Sequence, residues 1–600
     1  MTTSYELSIK NAAAHLFAVK LTIAKPLNLQ TVFMPVWVPG SYLIREFARH
    51  VVTISAKDKN NKPVAIDKIN KNTWQLQSVE GPVTIEYEIY AWDWSVRAAV
   101  LDRTLGFFNG TSVFLAVAEQ TNHPCQIKLV RPANTFAKNW KVATALRESK
   151  QTNRYDFGWY EADSYDELVD HPVLMSHFEL KQFTVNRVIH DVVIQGVVPK
   201  LNWPQLLGDL KKICQTQVHF FEPDTQRAPM KRYVFITLVD GNSYGGLEHR
   251  ASTVLMSPRG DLPVIGEKQI SSNYCRYLGL CSHEYFHTWN VKRIKPSAFI
   301  PYNFHQENYT QLLWLFEGVT SYYDDLILCR SGIISEEKYL GLLSKTISKV
   351  MQGEGRYKQT LAESSFDTWI KFYRQDENAT NAIVSYYLKG SLAALVLDLK
   401  IRQMTNGERS LDDFMRLLWQ RYGITNNSST HFHANNKGVE EKDISNLIYE
   451  ATQLKLGKWL QEIIYTTKDL PLKSLLKAFG LTLLSKPIND LPVCTGAVLS
   501  NKSKKIAFIH ANSPAQLGGL SAFDELVAIN SIQITHDNFS ELLKCYRPGD
   551  EVIIHAFRRD VLQSFEVKLG MPLDTDYQIL ISDSDPLKTK KRSRWLLQQN

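Results

Sequence analysis

A multidomain α+β chain is the fold class this sequence predicts, and three observations carry it. Its 600 residues exceed what one compact core holds, so length alone asks for two to four domains. Its composition, 44% hydrophobic and 22% charged, is globular rather than disordered or fibrous. Its hydrophobic pattern also changes twice: alternating runs to about residue 175, helical spacing to about Leu470, and short strands again from near Gly480.

The first stretch reads as β. In VTIEYEIY (83–90), Val83, Ile85, Tyr87 and Ile89 point one way while Thr84, Glu86 and Glu88 point the other. Similar runs, HVVTISAK and CQIKLVR, are separated by turn signals such as Pro39-Gly40-Ser41, Gly81-Pro82 and Asn109-Gly110. The middle stretch is mainly helical, with one clear strand at YVFITL (233–238). In LKGSLAALVLDLKIR (388–402), Leu392, Leu395, Val396 and Leu399 fall at helical spacing and predict a core-facing stripe. TNNSSTHFHANNK (425–437) is polar and turn-rich, a surface loop, which makes a metal-binding role for His431 and His433 the weaker reading. In the last section, KKIAFI, ELVAINSIQI, EVIIHAFRR and FEVKLG are strands around short helices at Ser513–Gly518 and Asn538–Cys545.

Composition excludes several classes. The net charge of +8 includes Lys588, Lys590, Lys591, Arg592 and Arg594 in one segment, read as a basic tail; without them, 64 basic residues face 61 acidic ones. That balance does not suit a nucleic-acid binder. No run of eighteen apolar residues exists to span a membrane, and the N-terminus lacks the basic-then-apolar pattern of a secretory signal. Seven scattered cysteines, never spaced CxxC, fit a reducing compartment, so a cytoplasmic location is expected.

The strongest local signal is His283-Glu284-Tyr285-Phe286-His287. On a helix, positions i and i+4 differ by about 40°, so both imidazoles reach one point. Neutral imidazole suits zinc, and a glutamate beside the first ligand can take a proton from activated water. A catalytic zinc needs a third protein ligand, and LLWLFEGVTSYYDDLIL (312–328) offers Glu317, its only glutamate, among apolar neighbours. A carboxylate there is costly without a compensating cation. Asp324 and Asp325 either orient a ligand or form a solvated face.

HEYFHTWNVKRIKP followed by LWLFEGVTSYY resembles the glycyl aminopeptidase family of zinc metallopeptidases. VWVPGSYLIREFARHV resembles that family's N-terminal signature, and NSPAQLGGLSAFDELVAIN resembles a permuted PDZ domain. The resemblance implies a β-rich N-terminal domain at 1–175, a mainly helical thermolysin-like catalytic domain at 176–472, a PDZ domain at 473–572, and a basic tail at 573–600. It also implies one zinc ion per chain, held by His283, His287 and Glu317, with Glu284 as catalytic base. The wider resemblance to aminopeptidase N-type enzymes assigns two further roles. Gly245-Gly246-Leu247-Glu248, on a strand edge 35 residues before His283, would bind the substrate's amino group. Tyr387 of Tyr387-Leu388-Lys389-Gly390 would stabilise the oxyanion, although adjacent Tyr386 leaves the register open. One departure is the 29-residue gap between His287 and Glu317, an insertion around 292–311 whose His305 and Glu307 are less suited as ligands, lying on no convincing helix.

The expected function is therefore a zinc aminopeptidase removing glycine or other small residues from peptides. A zinc endopeptidase with the same metal chemistry is one alternative; a PDZ-based peptide-binding scaffold with a vestigial peptidase module is another. A peptide substrate, and a peptide ligand for the PDZ domain, are the expected partners. The oligomeric state is left open.

Overall fold

The computed structural model describes residues 3–78, 80–267, 269–423, 437–582 and 585–597. The His431 and His433 pair therefore lies outside the described residues. The chain divides into two compact units, Met1–Tyr309 with Leu418–Val439, and Thr310–Leu417 with Glu440–Asn600.

The first unit is built on strands. An eight-stranded sheet includes, side by side, Cys125–Leu129, Thr3–Asn11, Leu16–Ile23, Val83–Tyr90 and Val51–Asp58. The alternation expected for 83–90 is observed: Val83, Ile85, Tyr87 and Ile89 are buried, and the residues between them are half-buried. Two four-stranded sheets complete the β-rich part. A further sheet of five strands runs in the order Glu179–Val185, Val188–Gln195, Arg232–Asp240, Ser252–Pro258, Gly245–Glu248. Its central strand carries YVFITL and is buried on both faces, as parallel pairing on each side dictates. Gly245–Glu248 is an edge strand, paired among the described residues only with Ser252–Pro258. Leu247, Val254 and Met256 of this sheet share one hydrophobic core with Tyr5, Phe17 and Ile85. The five-stranded sheet accordingly falls in the same compact unit as the strands before residue 175.

The second unit is helical and ends in short strands. Leu388–Met404 is buried on nearly all sides, so it is a central helix rather than one with a single apolar stripe. Asp398 inside it is compensated by Arg402, at 3.0 Å, and by the Tyr322 hydroxyl, at 2.6 Å. Farther on, Glu525–Ile529, Glu551–Arg558 and Val561–Lys568 form a sheet with Ile532–Gln533. Helices Pro514–Leu517 and Phe539–Leu543 accompany it, and the section has a hydrophobic core of its own.

The basic tail requires correction. Asp576–Ile581 pairs with Leu481–Lys486, and Pro586–Leu596 is a helix. Trp595 and Leu596 are fully buried, the Trp595 indole donates to the Tyr322 hydroxyl at 2.8 Å, and Arg330 donates to the Trp595 carbonyl at 3.2 Å. Arg592 is buried beside Glu336. Two large apolar side chains anchor what the charge count presents as a solvated tail. Among the described residues, no helix is long and apolar enough to cross a membrane.

Candidate active site

In the first unit, helix Ser272–Phe286 begins at Ser271, whose hydroxyl accepts from the Tyr274 amide at 3.0 Å. The helix ends at His287, so the HExxH segment occupies its last turn. Glu284 and His287 are buried and His283 is half-buried. The imidazole rings lie 4.6 Å apart between centroids, at 84° to each other. His287 Nδ1 stands 2.9 Å from the Asn290 carbonyl. A carbonyl only accepts, so Nδ1 carries the proton and the lone pair sits on Nε2. That hydrogen bond sets the tautomer a metal ligand needs.

The edge strand brings a second carboxylate to this helix. Ligating atoms of Glu248, Glu284 and His287 all lie within 4.8 Å of one another. Two glycines make the arrangement possible. A Cβ on Gly246 would collide with the Glu284 carboxylate, so glycine there leaves room for that side chain to stand against the strand. Gly40, in the WVPGSY turn, has φ +94°, and a Cβ there would strike the Glu248 carboxylate. Sequence reading takes Gly40 as a turn residue; the structure adds that it seats Glu248.

Behind the edge strand lies a buried charge network that sequence reading misses. Asp170 accepts from Lys292 at 2.7 Å, from Arg250 Nε at 2.8 Å and from His249 Nδ1 at 3.3 Å. Burial alone would raise the Asp170 pKa, but Lys292 and Arg250 outweigh it and hold the carboxyl well below its usual range. Burial pushes the His249 imidazole down against the opposing pull of Asp170. These residues join the hairpin that carries Glu248 to the segment that follows His287. His305 packs against Phe33 instead, with ring centroids 4.0 Å apart, and among the described residues neither it nor Glu307 joins a cluster of donors close enough to hold a metal.

In the second unit, Glu317 is 2% exposed and lies on a π-helical turn, Trp314–Gly318, leading into helix Val319–Arg330. Such a wide turn is common at functional positions. It is held against the helix that follows Tyr387: a Cβ on Gly318 would sit 2.7 Å from Gly390 backbone. The two candidate tyrosines differ. Tyr386 is fully buried and its hydroxyl accepts from Thr368 at 3.0 Å, whereas Tyr387 is half-buried, with its hydroxyl 3.4 Å from that of Tyr373. Burial pushes the Tyr386 phenol far above its ordinary pKa.

Comparison with known proteins decides the family. A model of the M61 peptidase N-terminal domain matches residues 4–177, and one of the M61 glycyl aminopeptidase matches residues 276–393. A crystal structure of an aminopeptidase N family protein from Idiomarina loihiensis is 38% identical, covering 99% of this chain and 100% of its own, with a TM-score of 0.93. The chain belongs to the M61 glycyl aminopeptidase family. It is a metallo-aminopeptidase by that membership. The M1 zinc metallopeptidase from Deinococcus radiodurans is 12% identical, over 78% of this chain and 94% of its own, with a TM-score of 0.48, a likeness too faint to argue from. None of the curated proteins matches the chain. The M61 matches take in His283 through Gly390, whereas the edge strand Gly245–Glu248 and everything after residue 393 lie outside them.

Proposed function

We propose that the chain is a zinc-dependent aminopeptidase that removes N-terminal glycine or another small residue from peptides. The observation that carries this reading is the meeting of Glu248, Glu284 and His287 ligating atoms within 4.8 Å. An ammonium-binding carboxylate, a proton acceptor and a metal-ligand imidazole at that spacing suit hydrolysis of the first peptide bond. The donor set fits zinc: two imidazoles on one helical turn, His287 with its lone pair on Nε2, and a buried carboxylate, Glu317, among apolar neighbours. His283, His287 and Glu317 would hold one zinc per chain. Zinc supplies a Lewis acid for the peptide carbonyl and acidifies water.

The protein's own groups do the rest. Glu248 binds the substrate ammonium by charge-assisted hydrogen bonding. Glu284 takes the proton of the attacking water and returns it to the leaving amine. Tyr387 donates to the developing oxyanion; its half-buried position favours it over Tyr386, whose hydroxyl is engaged in the interior. The section at 473–572 is read as a PDZ domain able to take an extended peptide, supported by its small sheet, its two short helices and its separate core.

Metal analysis together with hydrolysis of aminoacyl anilides tests the reading. Zinc near one equivalent, chelator-sensitive cleavage of glycyl substrates and no cleavage after N-acetylation are expected. Glu284→Gln and Tyr387→Phe should each lower kcat, the first to near background and the second by about 10²–10³-fold. Equal cleavage of blocked and unblocked peptides would favour an endopeptidase instead.

A further inference from the structure

The edge strand lines up three groups with different chemistry. Glu248 stands at its end, Glu284 lies against Gly246, and the Arg97 guanidinium lies 3.8 Å from where a side chain on Gly245 would begin. Amino anchor, base and cation thus succeed one another along a single strand. If the substrate amino group sits at Glu248 and the reacting carbonyl faces Glu284, the peptide continues toward Gly245 as an added antiparallel strand. Its direction is set by the position of Glu284 between the other two.

Arg97 is held ready for an anion. Its backbone is fixed on both sides, because Asn109 Nδ2 donates to the Val96 carbonyl at 2.6 Å and the Asn109 amide donates to the Ala98 carbonyl at 3.0 Å. The side chain is half-buried, its Nε is buried without a hydrogen-bond partner, and it makes no ion pair among the described residues. Asp240, which meets the same segment at Trp94, accepts from the Trp94 indole at 2.7 Å and from the Ser243 amide at 2.7 Å. A guanidinium with donors to spare at the end of a peptide-sized edge suits a carboxylate.

We propose that Arg97 binds the C-terminal carboxylate of a short peptide, making tripeptides the preferred substrate length. The proposal rests on the aminopeptidase reading above. Glu248 to Gly245 is three residues of strand, about 10 Å, and an extended tripeptide spans about the same length from amino nitrogen to carboxylate. A dipeptide falls one residue short, and a longer peptide places a neutral amide beside Arg97.

The test compares kcat/KM for Gly-Ala-Ala with that for its C-terminal amide, in the wild type, Arg97→Gln and Arg97→Lys. The wild type should favour the free acid by about tenfold or more, mainly through KM. Arg97→Gln should bring the acid-to-amide ratio close to one, and Arg97→Lys should retain part of the preference. The ratio is internal to each variant, so partial loss of folded protein cancels from it. Equal use of acid and amide by the wild type, or an unchanged ratio in Arg97→Gln, overturns the proposal. N-acetyl-Gly-Ala-Ala separates the two readings. If it is cleaved as fast as the unblocked peptide, the amino anchor fails. If it is inert while acid and amide are used equally, only the carboxylate subsite fails.

Discussion

In the first unit, two glycines near the candidate catalytic residues face carboxylates: Gly40 lies against Glu248 and Gly246 against Glu284. In the second unit, Gly318 and Gly390 face each other's backbone, where the π-helical turn meets the central helix. Buried acids are handled more evenly. Asp170 in the first unit is paired with Lys292 and Arg250, and Asp412 in the second with Arg330 and Tyr323. The difference teaches where precision is spent. The first unit spends it on clearance around reacting groups, the second on the approach of one helix to another. Changes in the two places should therefore differ in how much stability they cost.

The largest effect is expected where a buried acid loses its charge. Asp412→Asn leaves Arg330 and Arg402 without their full partner and should cost about 3–5 kcal/mol in chemical unfolding at neutral pH. Burial opposes the Asp412 charge, but Arg330 and Arg402 outweigh it and hold the pKa well below the usual carboxylate range. A group with a depressed folded-state pKa contributes stability that is full above its unfolded value, near 4, and is lost as pH falls through the folded value. The stability gap between wild type and Asp412→Asn should accordingly be widest at pH 6–7 and narrow steadily below pH 4. A gap independent of pH would show that the ion pair is not its source. Asp170→Asn should follow the same pH trend and also raise KM, because its partners carry the hairpin of Glu248.

Gly246→Ala comes next. A Cβ against Glu284 displaces the proton acceptor, and a misplacement of about 1 Å at a reacting group costs on the order of 10²-fold in rate. Thermal stability should stay close to that of the wild type, since the strand is at a sheet edge. Gly318→Ala differs in stability: overpacking two backbones should cost about 1–3 kcal/mol, and because Glu317 is its neighbour on the same turn the rate should fall as well. If Gly246→Ala lost as much stability as Gly318→Ala, the contrast between the units would collapse.

How much of this was legible depends on the range of the interaction. The HExxH helix, the YVFITL strand and the 83–90 strand are written in local periodicity, so sequence places them directly. Gly40 against Glu248 is a contact between residues 208 apart, and no local pattern announces it. The Asp170 network is hidden for the same reason: Asp170, Arg250 and Lys292 each read as ordinary surface charges until folding buries them together. At the other end of the chain, five basic residues masked Trp595 and Leu596, because a charge count weighs every side chain equally and burial does not. The π-helical turn at Glu317 is a one-residue irregularity in hydrogen bonding that apolar spacing cannot resolve.

The tyrosine register offers the smallest and sharpest contrast. Tyr386 and Tyr387 occupy the turn just before helix Leu388–Met404, where no helical spacing says which phenol turns inward. Tyr386 does: it is fully buried, packs against Phe372 with ring centroids 4.9 Å apart, and takes a hydrogen bond from Thr368 at 3.0 Å. Tyr386→Phe removes only that hydroxyl and leaves the Thr368 hydroxyl to find another acceptor. The expected cost is about 1 kcal/mol of stability, with kcat within about twofold of the wild type. Should Tyr386→Phe instead lower kcat by two orders of magnitude while Tyr387→Phe leaves it intact, the oxyanion donor would be Tyr386, one position earlier than its half-buried neighbour suggests.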